Sequence, residues 1–226
     1  MTIPEITKKF VREIGTKAKK GNYEVKVGNI KITVFPNVFP PQSSFSESSH
    51  SVYEEFGNLV GKRVLDIGTG TGIQAIKAIR AGAKYVEAVD IYPLAVECAK
   101  YNINRNGHNG KINVFESDMF SNVPKKRYNL IIANLPIIDY PEEDVRLHSL
   151  FDPNFRYHER LFQDASKYLS RLGKIILCHA NLDKKASFKR LEGLAKTNGF
   201  SSKVDKSINA LSYEWRTYNF EMKLIK

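Results

Sequence analysis

Apolar residues follow two different periods along the chain, and their order predicts strands that alternate with helices. Continuous apolar runs of the buried-strand type occupy 64–67, 84–90, 112–116, 128–133 and 173–179. Helical spacing follows most of these runs, over 73–79, 93–106, 155–171 and 184–198. Strands and helices in alternation predict an α/β fold with a mostly parallel sheet that is covered on both faces.

The first part of the chain departs from this alternation. Residues 3–20 have apolar positions at helical spacing with lysines between them, and alternating residues on both sides of Gly28-Asn29 predict a β-hairpin. We therefore expect residues 1–35 to form a helix-hairpin extension and residues 36–226 to form the main domain.

The flanks of the main domain carry weaker signals. Prolines and serines in residues 36–50 predict no regular element there, and a helix is expected over 51–60. At the other end, alternating residues over 200–207 and 212–224 predict an antiparallel pair of strands at the sheet edge.

Three alternate glycines, Gly68, Gly70 and Gly72, directly follow the apolar run that ends with Asp66-Ile67. Glycine is needed where the backbone takes positive φ or approaches a ligand without a Cβ in the way. A strand, a glycine turn and a helix together predict a nucleotide-sized crevice at the carboxyl end of the strand.

The spacing of Asp66 and these glycines resembles motif I of the class I S-adenosylmethionine (SAM) methyltransferases. The resemblance implies a Rossmann-like, seven-stranded, mostly parallel sheet with an antiparallel last strand, and SAM as cofactor. It further implies that Gly68, Thr69, Gly70 and Gly72 lie against the methionine part of SAM, with Asp66 helping to fix its amino group. A tight turn without a cofactor is the alternative.

Two further acids follow the next strands. Asp90-Ile91 resembles motif II, which implies that Asp90 binds the ribose diol and that Ile91 packs on adenine; a helix N-cap is the alternative for Asp90. Asp118-Met119 resembles motif III, which implies an acceptor for the adenine amino group and a side chain on the ring. A turn aspartate is the alternative there.

Asn134-Leu135-Pro136-Ile137 follows the fourth strand and resembles the N-P-P-Y motif IV of methyltransferases that act on planar nitrogens, namely the release-factor glutamine, guanine-N2 and adenine-N6 groups. The lone pair of such a nitrogen is delocalised, and an asparagine carbonyl that accepts its N–H favours attack on the methyl group. The resemblance implies catalytic roles for Asn134 and Pro136. Leu135 and Ile137 depart from the motif, and an aliphatic Ile137 suits a smaller acceptor.

Other residues are predicted on the substrate side. The segment before motif I resembles the cofactor-covering segment of the ribosomal-RNA guanine-N2 methyltransferases, which makes Phe39, Phe45 and Ser48 candidates for a lid. The long connection 137–152 suggests substrate contacts from Ile137, Tyr140 and His148. His158 is expected to pack in a helix rather than to act as a base.

Net charge bounds the partners. The chain carries +11, and the first 35 residues hold eight Lys/Arg against three acids, while 181–226 hold ten against five. Basic ends favour RNA or a ribosome-associated protein as partner, and a lysine-rich surface that only keeps the protein soluble is the alternative. We therefore predict an N-methyltransferase acting on RNA, on a ribosome-associated target or on protein; a metabolite methyltransferase and a non-catalytic SAM-binding protein remain alternatives.

Composition bounds the compartment. No apolar run approaches the roughly 20 residues of a membrane span, and the amino terminus lacks a signal-peptide pattern. Two distant cysteines, Cys98 and Cys178, favour buried free thiols over a disulfide or a zinc site, and no metal is predicted. A cytoplasmic protein without a membrane partner is the expectation.

Overall fold

The computed structural model describes residues 5–41, 47–141, 144, 147, 149–182 and 186–223. The helices in these ranges are α1 (Glu5–Ala18), α2 (Glu47–Glu54), α3 (Ile73–Arg80), α4 (Pro93–Arg105), α5 (Arg156–Tyr168) and α6 (Ala186–Thr197). The strands are β1 (Tyr23–Val27), β2 (Ile30–Val34), β3 (Arg63–Ile67), β4 (Tyr85–Asp90), β5 (Ile112–Glu116), β6 (Tyr128–Ala133), β7 (Leu169–Ala180), β8 (Phe200–Ala210) and β9 (Tyr213–Met222). A short 3-10 helix, Pro153–Phe155, precedes α5.

Seven strands form the main sheet in the order β5-β4-β3-β6-β7-β9-β8. The pairs from β5 to β7 are parallel, and β9 is antiparallel to both β7 and β8. This confirms the predicted Rossmann-like, mostly parallel sheet with an antiparallel last strand. Strand β9 lies inside the sheet, between β7 and β8, and β8 alone forms that edge.

The sheet is covered on both faces, which explains the continuous apolar runs in its central strands. Val64 and Leu130 pack into one cluster with α3 and α4. Their neighbours Leu65 and Ile131 point to the other face and pack with α5 and α6, because successive side chains of a strand alternate between faces.

The predicted hairpin forms with the expected turn, and β1 pairs with β2 in a separate two-stranded sheet. It is nevertheless tied to the main core. Asn102 on α4 accepts the Thr33 N–H at 2.8 Å and donates to the Thr33 carbonyl at 2.8 Å. Ile30 and Ile32 are fully buried in the same cluster as β3 and α3. A domain boundary after residue 35 stays a prediction.

Helix α2 differs from the prediction at both ends. It begins at Glu47, inside the segment expected to be irregular, and ends at Glu54 instead of continuing to residue 60. The prolines of that segment all precede the helix, while Gly57 and Gly61 take φ of +63° and +72°, which ends helical geometry. Among the described residues, every helix is too short or too polar to cross a bilayer.

Candidate functional site

A cavity opens at the carboxyl ends of β3, β4 and β6, where the predicted motifs converge. Its lining contains most of the predicted site residues: Phe39, Ser48, Gly68, Thr69, Gly70, Asp90, Ile91, Asp118, Met119, Asn134, Pro136 and Ile137. The motifs are far apart in sequence, and they meet because parallel strands end at one edge of the sheet.

The glycine turn presents bare backbone to this cavity. Gly68 and Gly70 have φ of +73° and +54°, and a Cβ on either would meet no other atom within 4 Å. The space beside both residues is therefore free for a ligand, although the Gly68 N–H already donates to the Val89 carbonyl at 2.8 Å. Gly72 lies outside the lining, where a Cβ would come within 3.3 Å of Ala99 on α4, and its contact with the methionine part of SAM stays a prediction.

Asp66 lies beneath the turn and does not line the cavity. Its side chain is almost fully buried and accepts a 2.7 Å hydrogen bond from the Thr69 hydroxyl. Burial raises the pKa of Asp66 to about 7, and the nearby Asp90 carboxylate adds to the increase. Asp66 thus shapes the turn from below, and its part in fixing the amino group of SAM stays a prediction.

Asp90 joins the turn to the next strand. Its Oδ2 accepts the Gly70 N–H at 2.9 Å and its Oδ1 accepts the Tyr92 N–H at 3.0 Å. Burial raises its pKa, which these backbone donors counteract. Tyr92, without a side-chain cap, is the N-cap of α4, so Asp90 is not the N-cap of this helix.

The buried carboxylate of Asp66 and the partly buried carboxylate of Asp90 fit a cationic nucleoside. Among the described residues, no Lys, Arg or His forms an ion pair with Asp66 or Asp90. SAM carries an ammonium and a sulfonium charge, and a positive group at this edge offsets the burial of negative charge. The open backbone of Gly68 and Gly70 leaves room for the same ligand.

Asp118 is paired with an arginine that sequence reasoning did not identify. Arg160 on α5 donates to both carboxylate oxygens at 2.7 Å. The Asp118 side chain remains 43% exposed and lines the cavity beside Met119. Met119 is buried at φ of +52°, and its carbonyl accepts from the Ser117 hydroxyl at 2.9 Å.

Asn134 is oriented by two serines from α2. Its Nδ2 donates to Ser49 Oγ at 3.1 Å and to Ser48 Oγ at 3.4 Å. Gln74, next to the glycine turn, donates to the Ser49 carbonyl at 3.0 Å. The chain of contacts therefore runs from the cofactor turn through α2 to Asn134.

Apolar side chains also line the cavity, from Phe39, Ile137, Leu150, Leu182 and Trp215. Tyr140 lies outside the lining and packs on Phe151 with ring centroids 5.8 Å apart, and its substrate contact stays a prediction. Phe45 and His148, also predicted here, lie outside the described residues.

His158 has the packing role expected of it. The ring is fully buried, and its Nδ1 lies 2.6 Å from Asp152 Oδ2. His158 is absent from the cavity lining.

Several functional candidates gave little signal in the sequence. Ser49 and Gln74 lie beside predicted motifs. Gln74 is a polar residue on the otherwise apolar, buried face of α3, and this is the one signal that marks it. Arg160 and Trp215 are remote in sequence from every motif. Arg160 comes to the site because α5 packs on the sheet, and Trp215 because β9 is a strand of that sheet.

Fold and site together define a Rossmann-like protein that binds a nucleoside cofactor at the switch point of its sheet. A family model described as the small methyltransferase domain matches residues 29–202. The chain belongs to this family. It is a SAM-dependent methyltransferase, which confirms the predicted class and cofactor.

Two relatives differ in their acceptors. A Methanocaldococcus jannaschii protein named as a protein N5-glutamine methyltransferase is 32% identical over 164 residues, which cover 70% of this chain and 80% of that protein. The ribosomal RNA small subunit methyltransferase C of Buchnera aphidicola is also 32% identical over 164 residues, but these cover 69% of this chain and 44% of that protein.

A solved methyltransferase from Pyrococcus furiosus has the same fold. It superimposes with a TM-score of 0.66 and 18% identity, covering 96% of this chain and 98% of that one.

Proposed function

We propose that the chain transfers the methyl group of SAM to an amide or amine nitrogen, with Asn134 as the residue that orients the acceptor. One observation carries the proposal. The NH2 group of Asn134 donates to the hydroxyls of Ser48 and Ser49. The amide oxygen Oδ1 therefore remains available to accept a hydrogen bond from the substrate. Within the described ranges, no residue donates to Oδ1.

The chemistry explains why a fixed carbonyl oxygen is useful. An amide or ring-amine nitrogen attacks poorly because its lone pair is delocalised. Oδ1 of Asn134, by accepting one N–H, stabilises the positive charge that develops on nitrogen and holds the group in line. When bound, SAM supplies a methyl group on positively charged sulfur: the nitrogen lone pair forms the new N–C bond, the electrons of the broken S–C bond stay on sulfur, and the nitrogen releases one proton.

The donor side is proposed to be held by the turn and the strand-end acids. Asp90 accepts from the ribose hydroxyls while Gly68 and Gly70 leave the backbone open to the methionine part. Asp118 accepts from the adenine amino group, with Ile91 and Met119 on the ring. Their place in the cavity lining supports these roles.

The acceptor is proposed to be RNA, a ribosome-associated target or protein. The two relatives above support a macromolecule, since one is named for glutamine in protein and the other for ribosomal RNA. The aromatic side chain that position 137 lacks is available elsewhere in the lining, from Phe39, Tyr157 and Trp215. A planar acceptor is therefore compatible with the cavity, and a ribosomal target would place the protein in the cytoplasm.

Labelling of cell extracts tests the proposal. Extracts from cells that lack the protein are incubated with tritiated SAM and the purified chain, then fractionated into RNA, protein and small molecules. We expect one macromolecular fraction to be labelled, and Asn134→Ala to reduce labelling by roughly 100-fold or more. Calorimetry should show that the variant still binds SAM.

Three results would count against parts of the proposal. Unchanged labelling by Asn134→Ala removes this residue from the mechanism. Label confined to small molecules identifies a metabolite methyltransferase. Tight SAM binding with no labelled fraction identifies a non-catalytic SAM-binding protein. Asn104→Ala, on the exposed side of α4, is the matched control.

A further inference from the structure

We infer that the exposed basic face of helix α1 is a docking surface for the phosphate backbone of single-stranded RNA, beside the cavity where the acceptor nitrogen is methylated. This basic face consists of Lys9 and Arg12 on α1 and of Lys19 and Lys20 in the turn directly after it, all exposed. The inference rests on the proposed function, because it assigns one acceptor class to the same site.

Helix α1 carries Lys9 and Arg12 on the side away from its buried residues. At 100° per residue, these two fall within a sector of about 60°. Thr7 and Ile14, on the opposite side, are buried, and Val11 between them is half-buried. The helical pattern continues past Ala18, since the Lys19 N–H donates to the Gly15 carbonyl at 3.3 Å.

The apolar side of α1 packs on the acceptor half of the cavity. Ile14 belongs to a cluster with Ile138 and Leu150, against which Ile137 and Leu182 also pack. These last four residues line the cavity. The basic face lies on the other side of this helix, one helix diameter (~10 Å) from the cavity wall. A strand of RNA held there must therefore continue around α1 to bring a base to the cavity that contains Asn134.

The charges of the basic face are unmatched, unlike other cations near the site. Arg160 and Arg190 are paired with Asp118 and Asp139. Within the part of the chain that the structure describes, no carboxylate forms an ion pair with any residue of the basic face. Glu13 on α1 pairs with Lys17 at 2.6 Å, outside this face.

A nucleic-acid backbone suits this arrangement better than an acidic protein surface. The basic face extends over about 16 Å from Lys9 to Lys20, and Glu13, the one acid in that stretch, pairs with Lys17. A phosphodiester backbone is a polymer that presents regular negative charge over such a length. Single-stranded RNA also exposes bases that stack on aromatic side chains, and Phe39 and Trp215 line the cavity.

The family assignment does not account for this helix. The matched residues begin at 29, after α1 has ended. Methyl transfer and SAM binding also make no use of its exposed side, so its concentration of unpaired positive charge needs a separate explanation.

Binding of a labelled single-stranded RNA of mixed sequence, followed by fluorescence anisotropy at several KCl concentrations, tests the inference. The variant Lys9→Gln/Arg12→Gln/Lys19→Gln/Lys20→Gln is compared with Lys62→Gln/Lys100→Gln/Lys125→Gln/Lys196→Gln. The control removes the same charge from exposed positions elsewhere. We expect the α1 variant alone to lose about tenfold or more in affinity, with a salt slope reduced by about 0.7 for each phosphate contact removed.

Three outcomes would overturn the inference: no RNA binding by the unmodified chain, equal losses in the two variants, or α1-dependent binding of poly-glutamate that is as tight as that of RNA. Calorimetry with SAM checks that both variants are folded. If the fourfold α1 variant loses SAM binding, Arg12→Glu against Lys100→Glu gives the same comparison. If one of these three outcomes is found and the unmodified chain labels a protein fraction, RNA docking is rejected and the proposed function is retained.

Discussion

The cofactor half and the acceptor half of the cavity are built in different ways. In the cofactor half, neighbouring motifs bond to one another: Asp90 accepts from Gly70 and Asp66 accepts from Thr69, all between residues 66 and 92. The acceptor half draws its lining from segments far apart in sequence, which include the loop before α2, the end of β6, and single residues after β7 and on β9.

The difference also concerns chemistry. The cofactor half contains two carboxylates, one buried and one partly buried, whose pKa is raised, which suits a ligand of constant structure and positive charge. The acceptor half is apolar around one oriented amide. Binding of the donor and choice of the acceptor are thus assigned to different parts of the chain, and substitutions should affect them separately.

Asp90→Ala should produce the largest effect and confine it to the cofactor half. It removes the acceptor of two backbone N–H groups and the proposed partner of the ribose. Loss of hydrogen bonds to a charged group costs about 1.5–3 kcal/mol each, so SAM affinity should fall about 100-fold. Calorimetry measures it. Glu116→Ala, at the exposed end of β5, should bind SAM normally; equal losses would contradict the assignment.

Asp66→Asn should change how stability depends on pH. The pKa of Asp66 in the folded state is about 7, above its ordinary value of 3.8, so the folded state keeps the proton after the unfolded state has released it. Stability therefore falls as pH rises from about 4 to about 7. Asparagine does not titrate. Between pH 4 and pH 7, the free energy of unfolding of the variant should therefore fall by at least about 1.4 kcal/mol less than that of the unmodified chain, which is the equivalent of one pKa unit.

Urea unfolding of both proteins at several pH values between these limits measures the difference. Asp164→Asn, which removes a carboxylate paired with Lys167 on α5, is the control and should keep the original slope. Parallel curves for Asp66→Asn and the unmodified chain would show that this carboxyl does not titrate as the structure indicates.

Ser49→Ala should have the smallest effect and confine it to the acceptor half. It removes one hydrogen bond to the Asn134 amide, worth about 1 kcal/mol, so turnover should fall roughly fivefold. SAM affinity should not change, and Ser49→Thr should restore turnover. Steady-state kinetics on the labelled fraction distinguishes a lower kcat from a higher KM. A loss of SAM affinity instead would mean that Ser49 supports the turn rather than Asn134.

Sequence reasoning succeeded where the chemistry lies in contiguous residues. Gly68 and Gly70 take the positive φ expected of them, and Asp90, Asp118 and Asn134 all reach the lining of one cavity. The reason is geometric: a run of parallel strands places each strand end at the same edge, so a motif at each end predicts a common site. The fold class followed from the same alternation.

Tertiary structure alone decided the contacts between segments that are distant along the chain. Arg160 reaches Asp118 because α5 packs on the sheet face that carries Leu65 and Ile131. Ser49 reaches Asn134 because α2 begins earlier than its composition suggested. The packing of α1 against the cavity likewise depends on Ile14 finding Ile138 and Leu150, more than a hundred residues away. Local periodicity contains no information on such pairings. An apolar face predicts that some element covers it, but not which element does so.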